Sequence, residues 1–140
     1  MTAREKQGFK MTKRQVKKFM TASQKGDKET VKLMLDNGVD VNLQTEDGYT
    51  ALMIVSYEGY KEMVQYLLKS GANPNLQDKD GITALMITSF KGDKDIYQLL
   101  LEHGADVNLQ TEDGSTALSI AKFFGHTNIA QLLEQAQRQN

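Results

Sequence analysis

Apolar residues recur at helical spacing in two matching stretches of this 140-residue chain: Met63, Val64, Leu67 and Leu68, then Ile96, Tyr97, Leu100 and Leu101. That spacing gathers each set on one side of an α-helix. It predicts a helix from about Lys61 to Ser70, stopped by Gly71, since glycine accepts the left-handed backbone that closes a helix. A first helix is predicted just upstream. Thr50 supplies a hydroxyl that accepts a bond from a free backbone N–H, Ala51 tolerates the first turn where a proline would otherwise be favoured, and Gly59 marks the end. Two short helices then form a hairpin, and a single hairpin cannot bury its own apolar stripe.

The pattern repeats. Asp47-Gly48-Tyr49-Thr50-Ala51-Leu52-Met53-Ile54 returns as Asp80-Gly81-Ile82-Thr83-Ala84-Leu85-Met86-Ile87, and again as Asp113-Gly114-Ser115-Thr116-Ala117-Leu118-Ser119-Ile120. The step is 33 residues each time, and the same step links Gly26, Gly59, Gly92 and Gly125, then Gly38, Gly71 and Gly104, then Asn42, Asn75 and Asn108. So many registers in phase identify a repeat architecture.

At these residues the chain resembles the ankyrin family, whose unit is a β-turn followed by two antiparallel helices. The resemblance covers about residues 12–136. The family's Thr-Pro-Leu-His-x-Ala stretch appears as Thr50-Ala51-Leu52-Met53, Thr83-Ala84-Leu85-Met86 and Thr116-Ala117-Leu118-Ser119, without its proline and histidine. Gly71-Ala72-Asn73-Pro74-Asn75 and Gly104-Ala105-Asp106-Val107-Asn108 follow the family's closing segment. The expected fold is an all-α repeat solenoid, an ankyrin-repeat array of about four helix-turn-helix units joined by β-turn fingers. Its boundaries fall near 12–44, 45–77, 78–110 and 111–136, with a basic tail at 1–11 and a C-terminal end at 137–140.

End repeats of a solenoid face water on one side and should be more polar than middle ones. Lys122 stands in the register of Ser56 and Ser89, Glu134 in that of Leu68 and Leu101, and Gln137 replaces a stopping glycine, so the fourth repeat reads as a cap. At the other end Lys17 and Lys18 occupy the Thr50 and Ala51 register. Val16, Phe19, Met20 and Ala22 leave enough apolar surface for a capping helix, and the first repeat lacks its turn.

Composition adds limits. With 39% hydrophobic and 25% charged residues the chain is of the soluble globular type, and 7% aromatics with a lone Pro74 disfavour an all-β fold. The absence of cysteine removes disulfides, thiolate metal sites and cysteine nucleophiles, and fits a reducing compartment. No apolar run approaches the length of a membrane span or a secretory core, so the expected location is cytoplasmic. Charge is uneven: residues 1–20 carry seven Lys or Arg against Glu5, leaving ten basic and seventeen acidic residues in 21–140.

Candidate chemistry is sparse. His103 and His126 are the only imidazoles and read as structural, His126 lying where the family often places a histidine for local hydrogen bonding. The pairs Glu46 and Asp47, Asp78 and Asp80, and Glu112 and Asp113 recur with the repeat and read as solvated turn residues. Calcium loops need six or more converging oxygens, and glycoside chemistry needs two carboxylates in different surroundings. No phosphate cradle, nucleophile elbow or zinc spacing occurs. No catalytic, metal or cofactor site is expected.

The resemblance implies instead a recognition module, in which the fingers and the exposed side of the first helices line a concave groove that binds a protein partner. Carried over by register, the finger positions are Glu46, Asp47 and Tyr49, then Lys79, Asp80 and Ile82, then Glu112, Asp113 and Ser115. The first-helix positions are Tyr57 and Glu58, Phe90 and Lys91, and Phe123 and Phe124. Tyr57, Phe90 and Phe123 lie 33 apart and are expected to form an aromatic row bordered by acidic fingers. Met53 and Met86 are expected in the interior. The partner expected is a basic-plus-apolar peptide or surface, met by a monomer. The alternative is that the basic segment, with Arg4, Lys6, Lys10, Lys13, Arg14, Lys17 and Lys18, targets nucleic acid or an anionic surface. No groove-reading motif accompanies it, and the acidic body opposes polyanions.

Overall fold

The structure, a computed structural model, describes residues 11–139. Most of the expected tail, with Arg4, Lys6, Phe9 and Lys10, lies outside these residues, as does Asn140.

Local sequence explains where each helix begins. Thr50, Thr83 and Thr116 each accept a bond from the backbone N–H three residues on, at 3.1, 3.2 and 3.1 Å. At Thr116 the cap is reciprocal, because Ser119 Oγ also accepts from the Thr116 N–H. Asp27 and Asp93 cap second helices in the same way, through Thr30 N–H and Ile96 N–H. Among the described residues this yields eight helices: α1 Lys13–Lys25, α2 Lys28–Asp36, α3 Ala51–Glu58, α4 Lys61–Lys69, α5 Ala84–Lys91, α6 Lys94–Glu102, α7 Ala117–Phe123 and α8 Thr127–Gln139.

The helices make four hairpins stacked in two rows. In the inner row α1 packs on α3, α3 on α5 and α5 on α7, while in the outer row α4 packs on α6 and α6 on α8. Between the rows lies one core. Leu67, Leu100 and Leu133, one repeat apart, are fully buried, as are Val31, Val64 and Ile96. The all-helical repeat solenoid expected from the period is the fold observed. No helix among the described residues is long and apolar enough to cross a membrane.

Two details differ from the sequence reading. Leu101, expected on the buried stripe beside Leu100, is only part-buried. The residue in its register one repeat on is Glu134, whose carboxylate turns to Lys122 Nζ at 3.2 Å. The capping substitutions thus partner one another. Asp78, expected as a solvated turn residue, is 8% exposed. Its Oδ1 accepts from the N–H groups of Asp80 and Ile82, both at 2.9 Å, so the carboxylate closes its finger from inside. Helix α1, the expected capping helix, begins at Lys13, because Thr12 and Gln15 form a capping box there.

Neighbouring repeats are sewn together on the finger side. Asn75 Nδ2 donates to Gly104 O at 3.0 Å, and its Oδ1 accepts from Asp106 N–H at 2.7 Å. Asn42 does the same with Gly71 and Asn73. Gln44 Nε2 and Gln77 Nε2 each donate to the carbonyl of the glutamine 33 residues on, at 3.1 and 3.0 Å. The fingers themselves join through Lys79 N–H to Asp47 O at 2.9 Å and Glu112 N–H to Asp80 O at 3.0 Å.

Candidate functional site

Helices α3 and α5 are apolar on nearly every side, and the array buries only part of that surface. Ala51, Leu52, Met53 and Val55 are enclosed, as are Ala84, Leu85 and Met86, but Ile54 and Ile87 remain part-exposed, and so does Ile120 on α7. These isoleucines stand one repeat apart on the side that faces the fingers. The methionines behave as expected, each 2% exposed, and also contribute to the floor of the furrow there.

The furrow has two adjoining hollows. The wider, of about 570 Å³, is walled by Ile82, Met86, Phe90, Ile120 and Phe124, with Asp80, Glu112, Asp113 and Ser115 along its finger side. The narrower, of about 460 Å³, is formed by Tyr49, Met53, Ile54 and Glu58. Tyr57 and Ile87 belong to both and mark the junction.

The aromatic row is arranged differently from its register. Tyr57 and Phe90 are 49% and 41% exposed and flank the wide hollow, whereas Phe123 is 83% exposed and stands outside its walls. Phe124 takes the third place, meeting the Phe90 ring edge to face at 4.7 Å and the Phe123 ring at 5.0 Å. Phe123 lies on the fourth repeat, on which no further repeat stacks among the described residues, and Phe124 follows it as the cap of α7. One repeat earlier, Lys91 occupies the position of Phe124 and lays its ammonium over the Tyr57 ring, 4.5 Å from the centroid. Each ring is therefore covered in part by the next repeat.

Charges on the fingers divide into paired and unpaired. Lys79 Nζ lies 3.1 Å from Asp47 Oδ1 on the preceding finger, and that hydrogen-bonded carboxylate holds the ammonium pKa above its ordinary value. Asp113 accepts bonds from the hydroxyls of Thr111 and Ser115, which hold its carboxyl below the usual aspartate range. Glu46 lies 4.0 Å from Lys13 at the surface. Among the described residues none of Glu58, Asp80, Glu112 and Asp113 forms a salt bridge.

The histidines are engaged elsewhere. His126 Nε2 reaches Phe90 O across the repeat boundary at 2.8 Å, and His103 Nδ1 bonds Leu99 O within α6 at 2.9 Å. Tyr60 plays the part of His126 two repeats earlier, its hydroxyl donating to Gln24 O at 2.8 Å. The sequence reading missed Tyr60 and the three isoleucines of the floor. Their 33-residue spacing was visible, but nothing local says which way they face.

A family model described as ankyrin repeats, in three copies, matches residues 19–111 and, in an overlapping placement, 70–140. No curated protein matches the chain.

Proposed function

The chain belongs to the ankyrin-repeat family, whose arrays are generally non-enzymatic protein–protein interaction modules, and on that premise we propose that another protein docks in the furrow between its fingers and first helices. One observation carries the proposal: Ile54, Ile87, Tyr57, Phe90 and Phe124 leave adjoining apolar surface open beside exposed fingers. Apolar surface of this kind, rimmed by polar residues, is how proteins hold partners. Phe124 joins Tyr57 and Phe90 as an anchor, and Phe123 contributes at the rim. The finger residues Glu46, Asp47, Tyr49, Lys79, Asp80, Ile82, Glu112, Asp113 and Ser115 complete the surface, with Glu58 and Lys91 between. The repeats run as bounded above, the polar cap formed by Lys122 and Glu134 favours a monomer, and the reading extends to a cytoplasmic adaptor, inhibitor or regulatory subunit.

The test compares native-partner recovery by wild type, by Phe90→Ala with Phe124→Ala, and by Lys28→Ala, Lys61→Ala and Lys94→Ala together. The lysines start second helices, away from the furrow. Recovery is expected to fall only in the aromatic variant, with its circular dichroism and melting curve near wild type. Equal recovery by both variants would overturn the placement. A second reading, in which the basic segment targets an anionic surface or nucleic acid, has one feature in its favour: Arg14, Lys17, Lys18 and Lys25 border a shallow hollow on α1. It requires polyanion binding that weakens steeply with salt and disappears when those residues are neutralised.

A further inference from the structure

The two edges of the wide hollow differ in chemistry, and the difference specifies an occupant. On the helix side stand Ile87, Phe90, Ile120 and Phe124, which offer only hydrocarbon and ring faces. On the finger side stand the exposed carboxylates Asp80, Glu112 and Asp113. The lysines of the same finger and helix, Lys79 and Lys91, are engaged with other groups. Lys79 is held by Asp47 at 3.1 Å and Lys91 lies over Tyr57 at 4.5 Å. Three carboxylates therefore border an apolar hollow without forming a salt bridge among the described residues. The narrow hollow continues the arrangement, with Ile54 and Tyr57 on its floor and Glu58 at its edge.

We propose that this furrow recognises an amphipathic basic segment of a partner protein, its large apolar side chains seated against Phe90 and Phe124 and its Lys or Arg side chains against Asp80, Glu112 and Asp113. The proposal rests on the docking role assigned above and adds the chemistry of the occupant. The hollow, about 570 Å³, lies within the range of about 300–1,000 Å³ in which proteins hold compact ligands. An acidic segment or a phosphate backbone would bring its charges against the three carboxylates, and a wholly apolar segment would leave them partly desolvated without a partner. A basic segment meets both halves. Its electrostatic part acts mainly on association and selectivity, and weakens with salt because these carboxylates are exposed.

The test uses two fluorescein-labelled synthetic peptides that share one phenylalanine and one leucine at fixed positions. One places lysines at every charged position and the other glutamates, and binding to the full chain is read by anisotropy at low and high salt. The lysine peptide is expected to bind roughly tenfold more tightly at low salt, the scale of about one unpaired charge contact. Phe90→Ala with Phe124→Ala should weaken it by at least roughly tenfold, the size of an interface anchor. Asp80→Asn, Glu112→Gln and Asp113→Asn together should bring the two peptides to near equality, the variant remaining folded by circular dichroism with its melting curve lowered only by the loss of the Asp113 hydrogen bonds.

Equal binding of the two peptides by wild type, or a lysine preference that survives the triple neutralisation, overturns the basic-segment proposal. If the aromatic variant still loses affinity for both peptides, the furrow remains the docking surface and only the charge assignment fails. If neither peptide responds to the aromatic variant, the docking role fails as well. Binding that emerges only after residues 1–10 are removed assigns the furrow to the chain's own basic segment. Self-association abolished by the aromatic variant assigns it to a second copy. Either result overturns the proposal.

Discussion

Replacing Gly81 with alanine, beside the same change at Gly114, measures how firmly one finger is held by the next. The two glycines have φ of +87° and +86°, so an alanine at either incurs the same left-handed penalty, about 1–2 kcal/mol. Their surroundings differ. A Cβ at Gly81 would lie 2.8 Å from Thr111 Cα and 3.1 Å from Gln110 O, both backbone atoms that cannot swing aside, whereas at Gly114 nothing lies within 4 Å. The third finger must therefore retreat. That movement loosens Glu112 N–H to Asp80 O and Gln77 Nε2 to Gln110 O, each 3.0 Å long. At about 0.5–1.5 kcal/mol net for each bond, the additional loss is about 1–3 kcal/mol. Gly114→Ala should then cost about 1–2 kcal/mol and Gly81→Ala about 2–5 kcal/mol. Urea unfolding followed by far-ultraviolet circular dichroism reads the difference as a shift in midpoint at a common slope. Hydrogen exchange should show the Glu112 amide losing protection in the Gly81 variant alone. Equal losses at the two sites, or an unchanged Glu112 amide, would refute the finger ladder as the reason for glycine at position 81.

Leu100→Ala should destabilise the array by about 2–5 kcal/mol through lost burial and an unfilled cavity, since Leu100 is fully enclosed. Leu101→Ala should cost clearly less because Leu101 is part-exposed, and equal midpoints in thermal melts would contradict that ordering. At Gly92 a Cβ would lie 2.5 Å from His126 Nδ1, so Gly92→Ala should be more harmful than Gly125→Ala, where the space is open. Adding His126→Ala should recover part of the loss, and strict additivity in the double-mutant cycle would argue against the contact. Acid should weaken the fold through Asp27 and Asp113. Thr30 hydrogen bonds hold Asp27 low, and Thr111 then Ser115 hold Asp113 low. Groups depressed in the native state stabilise it above the ordinary aspartate value, about 4, and lose that contribution as pH falls through their lower native values. Carboxyl NMR titrations placing either group at or above the ordinary value would contradict the assignment. Asp27→Asn and Asp113→Asn should flatten the acid limb.

The sequence alone determined the fold, because its signals act over three or four residues and return every 33. Thr50, Thr83 and Thr116 bond the N–H three positions on, so each helix start is written where it occurs. Leu67 and Leu100 show their burial through spacing along a single helix. The polar caps were equally legible, since Lys122 and Glu134 break a pattern set twice before.

What the sequence left open depends on atoms about one repeat apart in the chain. The same register that aligns Tyr57, Phe90 and Phe123 does not show that each ring meets the residue 34 positions on, so that Phe124 lies against Phe90 as Lys91 lies over Tyr57. Tyr60 and His126 share a register with Asp27 and Asp93, yet the ring side chains span to the previous repeat while the aspartates cap their own helices. Ile54, Ile87 and Ile120 look like core on hydropathy, and only the stacking of first helices decides which side of each is covered. Burial in a solenoid is set by the neighbouring repeat, so periodicity identified the surfaces that meet, and the tertiary packing alone decided which apolar side chains remained open to a partner.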